Sequence, residues 1–207
     1  MTWSKEEMSH EILGLIPEGS SINLGIGFPT AISDILPDEH PYIIHSENGV
    51  LGVGRTPYKS EVSATRINAG KETITVIPGA SYFDSSLSFG MIRGGHIDFC
   101  ILGGMQVDSH GSLANWMIPG KKITGMGGAM DLVNGAKKII IMMTHTSKQG
   151  DSKLVETCTL PLTGSCVVDY VVTDKGLFKI ENSKFKIIKL SNEKFRNDLI
   201  DEGIFSE

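Results

Sequence analysis

The sequence has only three cysteines, Cys100, Cys158 and Cys166. Their odd number and their apolar or strand-like surroundings exclude a disulfide framework and suit buried, reduced thiols in a cytosolic protein. Positive charge is also in short supply. Nineteen Lys and Arg stand against 24 Asp and Glu, a net charge of −5, which leaves no overall electrostatic footprint for nucleic acid or an anionic membrane. No apolar run reaches the roughly 20 residues needed to span a bilayer. The N-terminal MTWSKEEMSH is polar and acidic, where a signal peptide has a basic start and an apolar stretch. A soluble, cytoplasmic protein is expected. Proline- or serine-rich linkers and internal repeats are missing as well, so residues 1–207 are read as one domain.

Glycine, by contrast, is in excess: the chain has 24, against roughly 14 at an average usage of about 7%. With 40% hydrophobic and 21% charged residues, the chain has the composition of a folded globular protein with one core. Apolar Trp3, Met8, Ile12, Leu15 and Ile16 among Lys5, Glu6, Glu7 and Glu11 predict an amphipathic first helix closing at Pro17. Strands are predicted at Ser21–Ile26, Tyr42–His45, Ile74–Ile77, Phe99–Leu102 and Ile139–Met143, with short helices over Ala31–Leu36, Ser85–Ile92 and Ala129–Asn134. Buried strands alternating with helices predict an α/β fold whose open sheet is mostly parallel and flanked by helices. From about Glu156 the chain is β-rich, with strands predicted at Thr157–Leu162, Val167–Thr173, Phe178–Glu181 and Lys184–Leu190. These either complete the sheet or add a mixed flap.

Ligands in such folds sit outside the carboxyl ends of the strands, and the glycines cluster there: Gly25-Ile26-Gly27, Gly49 through Gly54, Gly94-Gly95 with Gly103-Gly104, and Gly125 through Gly128. Thr30 stands where a dinucleotide fingerprint needs its third glycine, and the phosphate-loop, nucleophile-elbow and zinc-protease motifs are all lacking. The six histidines show no ligand spacing, so no metal is expected. What remains is a carboxylate in an unusual place. Glu47, in Ser46-Glu47-Asn48-Gly49, leaves an apolar strand and enters a glycine-rich turn. Read alone, it is either a turn carboxylate capping nearby N–H groups or a nucleophile for an activated acyl group. Gly125–Gly128 is either a tight turn or a source of N–H donors for an oxyanion.

Longer blocks carry a resemblance. Ile22 through Thr30, His45 through Gly52, Ile67-Asn68-Ala69-Gly70-Lys71, Phe83-Asp84 through His96, and Leu113 through Val133 stand in the order seen in the B (β) subunit of class I CoA-transferases. That group includes 3-oxoacid and acetoacetate CoA-transferases, and the similarity spans about residues 20 to 175. The resemblance implies that Glu47 attacks an acyl-CoA thioester, and that CoA then becomes joined to the glutamate before passing to a second carboxylic acid. It implies that Gly128 supplies an oxyanion N–H, and that CoA lies along Asn23, Gly25, Gly27 and Phe28, with Lys71 and Lys148 as further contacts. Coenzyme A is then a substrate and covalent intermediate, with no permanently bound cofactor. The implied partner is a separate α subunit in an α2β2 assembly. A CoA-ester hydrolase using the same glutamate, and a non-catalytic acyl-CoA-binding module, are the alternatives.

Two departures stand out. Arg55-Thr56-Pro57 follows where the family runs Pro-x-Pro, and Arg55 either faces solvent or alters acid selection. The C-terminal Asn192–Glu207 is shorter than the family's usual helical end. Trp116-Met117-Ile118-Pro119 is read as core or interface packing ahead of an acyl pocket, and Arg93 and His96 as a helix-end ion pair ahead of an anion site.

Overall fold

A computed structural model describes residues 1–207, apart from the side chain of Lys122. In chain order the first half runs α1 (Lys5–Leu13), β1 (Ser21–Leu24), α2 (Ala31–Ile35), β2 (Ile43–Ser46), β3 (Val50–Val53), β4 (Val76–Tyr82), α3 (Ser85–Arg93) and β5 (Phe99–Leu102). Short strands follow: β6 (Gln106–Asp108), β7 (Leu113–Ala114), β8 (Met117–Ile118) and β9 (Lys122–Ile123). The rest is α4 (Ala129–Gly135), β10 (Lys138–Met142), β11 (Leu154–Val155), β12 (Tyr170–Val172), β13 (Gly176–Glu181), β14 (Lys184–Leu190), α5 (Phe195–Asp201) and β15 (Phe205–Ser206).

Ten strands form one sheet in the order β15-β14-β13-β12-β10-β5-β1-β2-β3-β4. Its five middle strands, β12 to β2, are parallel, and antiparallel hairpins extend it on both sides. Alternation along the middle strands sorts side chains into two cores. Cys100, Leu102, Ile139 and Ile141 join Ile92, Leu132 and Val133 of α3 and α4 on one face. Ile101, Ile140 and Met142 join Met8, Ile12 and Ile32 of α1 and α2 on the other. Each fully buried aliphatic side chain contributes about 1.5–3 kcal/mol relative to exposure, which is why strands covered on both sides read as nearly continuous apolar runs.

Several sequence expectations shift. The first helix ends at Leu13 rather than at Pro17; tighter turns follow, with Leu15 N–H donating to Ile12 O and Ile16 N–H to Leu13 O. The strand predicted at Thr157–Leu162 does not form, because the Thr159 and Leu160 N–H groups donate to the side chain of Gln106 instead. Val50–Val53, read as part of a glycine turn, is strand β3. It pulls β4 to Val76–Tyr82, beyond the expected Ile74–Ile77, by pairing Val50 with Tyr82. The C-terminal strands complete the main sheet. Of the thiols expected to be buried, Cys100 is buried, Cys158 half-buried and Cys166 exposed; Cys166 sits at positive φ in a surface loop. No helix among the described residues is long and apolar enough to cross a membrane.

One glycine is demanded by geometry. Gly49 has φ 113°, and a Cβ there would lie 1.9 Å from the carbonyl oxygen of Phe83. Gly203 has φ 77° but open space around it. Gly49→Ala is therefore expected to lower the unfolding free energy by about 2–4 kcal/mol, and Gly203→Ala by about 1 kcal/mol. Urea denaturation measures both, and equal losses would contradict the packing described.

Candidate active site

The site lies where β1, β2, β5 and β10 end. β1 stops at Gly25, whose N–H donates to Ile101 O at 2.8 Å. A Cβ at Gly25 would stand 2.8 Å from Leu102 Cδ2, so only glycine lets β1 leave the sheet this close to β5. β2 runs parallel to β1 with His45 opposite Asn23. It ends in the turn Ser46–Gly49, closed by Gly49 N–H to Ser46 O at 2.9 Å. Glu47 is the first residue of that turn to leave the strand.

The segment 67–70 clamps this turn. Asn48 Nδ2 donates to Ile67 O at 2.8 Å, and Ala69 N–H donates to Ser46 Oγ at 3.0 Å. A Cβ on Gly70 would approach Ile26 Cγ2 to 2.9 Å, so the loops after β1 and β3 meet beside Glu47. Beneath them lies a buried polar chain. Asn23 Nδ2 donates to His45 Nδ1 at 3.0 Å, and His45 Nε2 lies 3.0 Å from Ser88 Oγ. Since the amide nitrogen only donates, Nδ1 accepts and Nε2 carries the hydrogen to Ser88. Burial pushes the His45 pKa down to about 4, which keeps the ring neutral and this tautomer in place.

Glu47 is half-buried, and burial raises its carboxyl pKa above the ordinary value; the Asn23 amide works against that rise. Among the described residues no backbone N–H of the turn caps the carboxylate, so the turn-capping role is not what holds it. Across from it runs Thr124–Ala129, with φ 79° at Gly125 and 51° at Gly127. A Cβ on Gly128 would lie 3.1 Å from Glu47 Oε1 and 3.1 Å from Phe89 Cζ. Two residues far apart in the chain, each marked by its own local pattern, thus face each other. Among the described residues the Gly128 N–H donates to no protein acceptor.

Glu47 and the Thr124–Ala129 loop line a cavity of about 550 Å³ that also takes in Gly25 to Phe28, Ala69, Asn115, Thr144 and Lys153. Gly25, Gly27 and Phe28 therefore sit together with Glu47 and Gly128, while Asn23 supports them from below. Lys71 and Lys148 are exposed and outside the lining. Trp116 to Pro119 also lie outside it; Trp116 Nε1 donates to Leu162 O at 3.2 Å. Arg55 belongs to neither expectation: it pairs with Asp38 and Glu61 and stacks on Tyr58, away from the cavity. Arg93 pairs with Asp131 at 2.7 Å, tying α3 to α4. Sequence reasoning does not find Lys153, His45 or Ser88. For Lys153 the available signal is its loop, which follows a buried parallel strand at its carboxyl end. Among the described residues no group of three or more potential metal ligands gathers.

A half-buried carboxylate beside a backbone N–H with no protein acceptor, in an open cavity at the carboxyl ends of parallel strands, is an arrangement suited to group transfer at an acyl carbon. Comparison with known proteins gives the particular kind. A coenzyme A transferase family model matches residues 5–195. The B (β) subunit of the probable succinyl-CoA:3-ketoacid coenzyme A transferase of Bacillus subtilis is 51% identical over 192 residues, 93% of this chain and 89% of that protein. The corresponding subunit of the succinyl-CoA:3-ketoacid coenzyme A transferase of Helicobacter pylori is 54% identical over 175 residues, 84% of each chain. The chain belongs to the coenzyme A transferase family. In fold it matches the apoenzyme of the acyl-CoA transferase YdiF from Escherichia coli O157:H7, with a TM-score of 0.72 and 20% identity. That match covers all of this chain and 43% of that one.

The raised pKa has a stability consequence. The folded chain binds the Glu47 proton more tightly than the unfolded chain, so this group's contribution to stability falls as pH rises through the unfolded value of 4.5 and beyond. Glu47→Gln is expected to leave the chain as stable as the wild type or more so at neutral pH, with the advantage fading below pH 4.5. Urea titrations across that range measure it; a large loss of stability at neutral pH would make the carboxylate structural.

Proposed function

We propose that residues 1–207 act as one unit, the β subunit of a 3-oxoacid-type CoA-transferase, moving CoA between an acyl-CoA and a carboxylic acid through Glu47. The observation that carries this reading is the approach of the Glu47 carboxylate to Gly128 across the cavity. A Glu47 oxygen attacks the thioester carbonyl carbon, and the tetrahedral oxyanion takes a hydrogen bond from the Gly128 N–H. The C–S bond breaks and the CoA thiolate leaves, giving an acyl-glutamyl anhydride. The thiolate then attacks the glutamyl carbonyl, the anhydride C–O bond breaks, the first acid departs as carboxylate, and CoA is held as a glutamyl thioester. A second carboxylate reverses the sequence, and protons balance throughout.

Partial burial suits the nucleophile. Desolvation raises the energy of the carboxylate relative to water, and an acyl anhydride, being neutral, is relieved of it. CoA enters along Gly25, Gly27 and Phe28, with the pantetheine arm reaching Glu47. Lys71 and Lys148, exposed beyond the cavity, suit the anionic nucleotide end of CoA. Ile26 and Met126 line the cavity and are 65% and 42% exposed, which accords with a separate α subunit covering its mouth and adding a second oxyanion donor in an α2β2 assembly. Three unpaired thiols accord with a cytoplasmic location.

In the complex with its α subunit, acyl-CoA followed by borohydride is expected to reduce the thioester at Glu47 and abolish activity. An active Glu47→Ala complex, or a borohydride-insensitive wild type, would overturn the reading. Against Gly128→Ala, which places a Cβ 3.1 Å from Glu47 Oε1 but keeps the N–H, Gly128→Pro removes the N–H at a φ of −82°, close to what proline adopts. It is expected to lower kcat by about 10²–10³-fold, read in steady-state assays; unchanged kcat would remove Gly128 from the oxyanion site.

A further inference from the structure

Three polar side chains, Asn23 of β1, His45 of β2 and Ser88 of α3, are buried beside Glu47, and none of them lines the cavity. At each place a hydrocarbon would avoid the cost of taking a polar group out of water, so packing alone does not call for them. What they form is a chain with a direction. Ser88 Oγ lies 3.0 Å from His45 Nε2, and His45 Nδ1 lies 3.0 Å from Asn23 Nδ2. The amide nitrogen donates, so Nδ1 accepts and the Nε2 hydrogen points at Ser88. The amide is thereby fixed one way round, with Cys100 Sγ 3.9 Å from its oxygen. Asn23 and His45 are in register on neighbouring parallel strands, and Glu47 follows His45 by two residues, the repeat that returns a strand to the same face. The chain therefore opens on Glu47. The Asn23 amide acts on that carboxylate against the effect of burial, and only its nitrogen end favours an anion. Turned over, it would set its oxygen against the carboxylate.

We propose that His45 and Ser88 are positioning residues for the transfer: they hold the Asn23 amide with its nitrogen toward Glu47 and so present the carboxylate to the thioester. The inference rests on Glu47 being the nucleophile. The acceptor at Nδ1 is the element that matters, and it exists only while the ring is neutral. Burial alone acts on His45 and keeps it so, with a pKa of about 4. The other titratable groups nearby are Cys100, whose thiol is kept protonated by burial and by Glu47, and Lys153 in the cavity lining, which donates to Thr144 Oγ1 at 2.7 Å. Only burial and the Asn23 amide shift Glu47. Releasing the amide therefore removes the group that favours the carboxylate's ionised form, and its proton is held to higher pH.

The test follows kcat/KM for acetoacetyl-CoA against pH in the complex with its α subunit, because the acid limb of that profile reports the ionisation of the free enzyme's essential groups. His45→Leu removes the acceptor and is expected to raise the midpoint of the acid limb by about one pH unit. Ser88→Ala, which leaves the ring free to turn, is expected to move it the same way by less. His45→Asn puts an amide oxygen where Nδ1 stands and is expected to return the midpoint to that of the wild type. A merely structural role would lower the plateau of each variant and leave the midpoint in place, and that result overturns the proposal. So does a His45→Asn profile that matches His45→Leu. Should His45→Leu fail to fold, Ser88→Ala decides, and a midpoint equal to that of the wild type overturns the positioning. A wild type that forms no borohydride-reducible thioester overturns the reading of Glu47 instead. Carbon-13 NMR of the Glu47 carboxyl, assigned with Glu47→Gln, then judges the positioning by itself: Ser88→Ala is expected to raise its titration midpoint, and an unchanged midpoint would contradict the chain.

Discussion

A carboxylate held half out of water at the end of a parallel strand is the constraint on which the rest of the site depends. Glu47 is pushed toward its protonated form by burial and drawn back toward ionisation by the Asn23 amide, so its surroundings are balanced between desolvating the anion and keeping it available. That balance requires a fixed amide. Asn23 is fully buried and its side chain is oriented by His45, which is oriented in turn by Ser88 of α3. The environment of Glu47 is therefore set by β1, β2 and α3 together, and the neutral state of His45 is part of the arrangement.

Backbone geometry does the rest. The turn that carries Glu47 is pinned by Phe83 behind it, through Phe83 N–H to Gly49 O at 3.0 Å, and by the 67–69 segment in front. Gly128 stands close enough to the carboxylate that a Cβ on it would lie 3.1 Å from Glu47 Oε1. The cavity between them is open to the outside at Ile26 and Met126, and at the carboxyl end of β10 it holds a cation.

The parts of this that are legible in the sequence are local in the chain. Ser46-Glu47-Asn48-Gly49 and Gly125 through Gly128 announce themselves because a carboxylate or an N–H donor at a strand end needs glycines beside it, and the parallel strands show as buried runs such as Phe99–Leu102. Elements whose place is decided by a partner are not legible. β4 takes its bounds from its register with β3, and Thr157–Leu162 fails as a strand because Gln106, about fifty residues away, takes its N–H donors. The chain of Asn23, His45 and Ser88 is assembled from three elements, with no local pattern to mark it. Lys153 has the sequence context of any surface lysine, and only the folded loop after β10 sets it against Thr144, whereas Lys71 and Lys148 lie outside the cavity. Arg55, a departure from the family pattern, proves to be held between Asp38 and Glu61, outside the cavity.

The central claim is that Glu47 itself forms and breaks bonds with the acyl group, and oxygen-18 tests it most directly. When a carboxylic acid labelled in its carboxylate is the acceptor, the anhydride it forms with Glu47 breaks on the acyl side, so one acid oxygen stays on the glutamate. Mass spectrometry of the Glu47 peptide is expected to show that label within the first turnovers, saturating at no more than two atoms per site, and later turnovers to pass it on to the acid released from the donor. Acyl-CoA formation with no label in Glu47 would contradict the account.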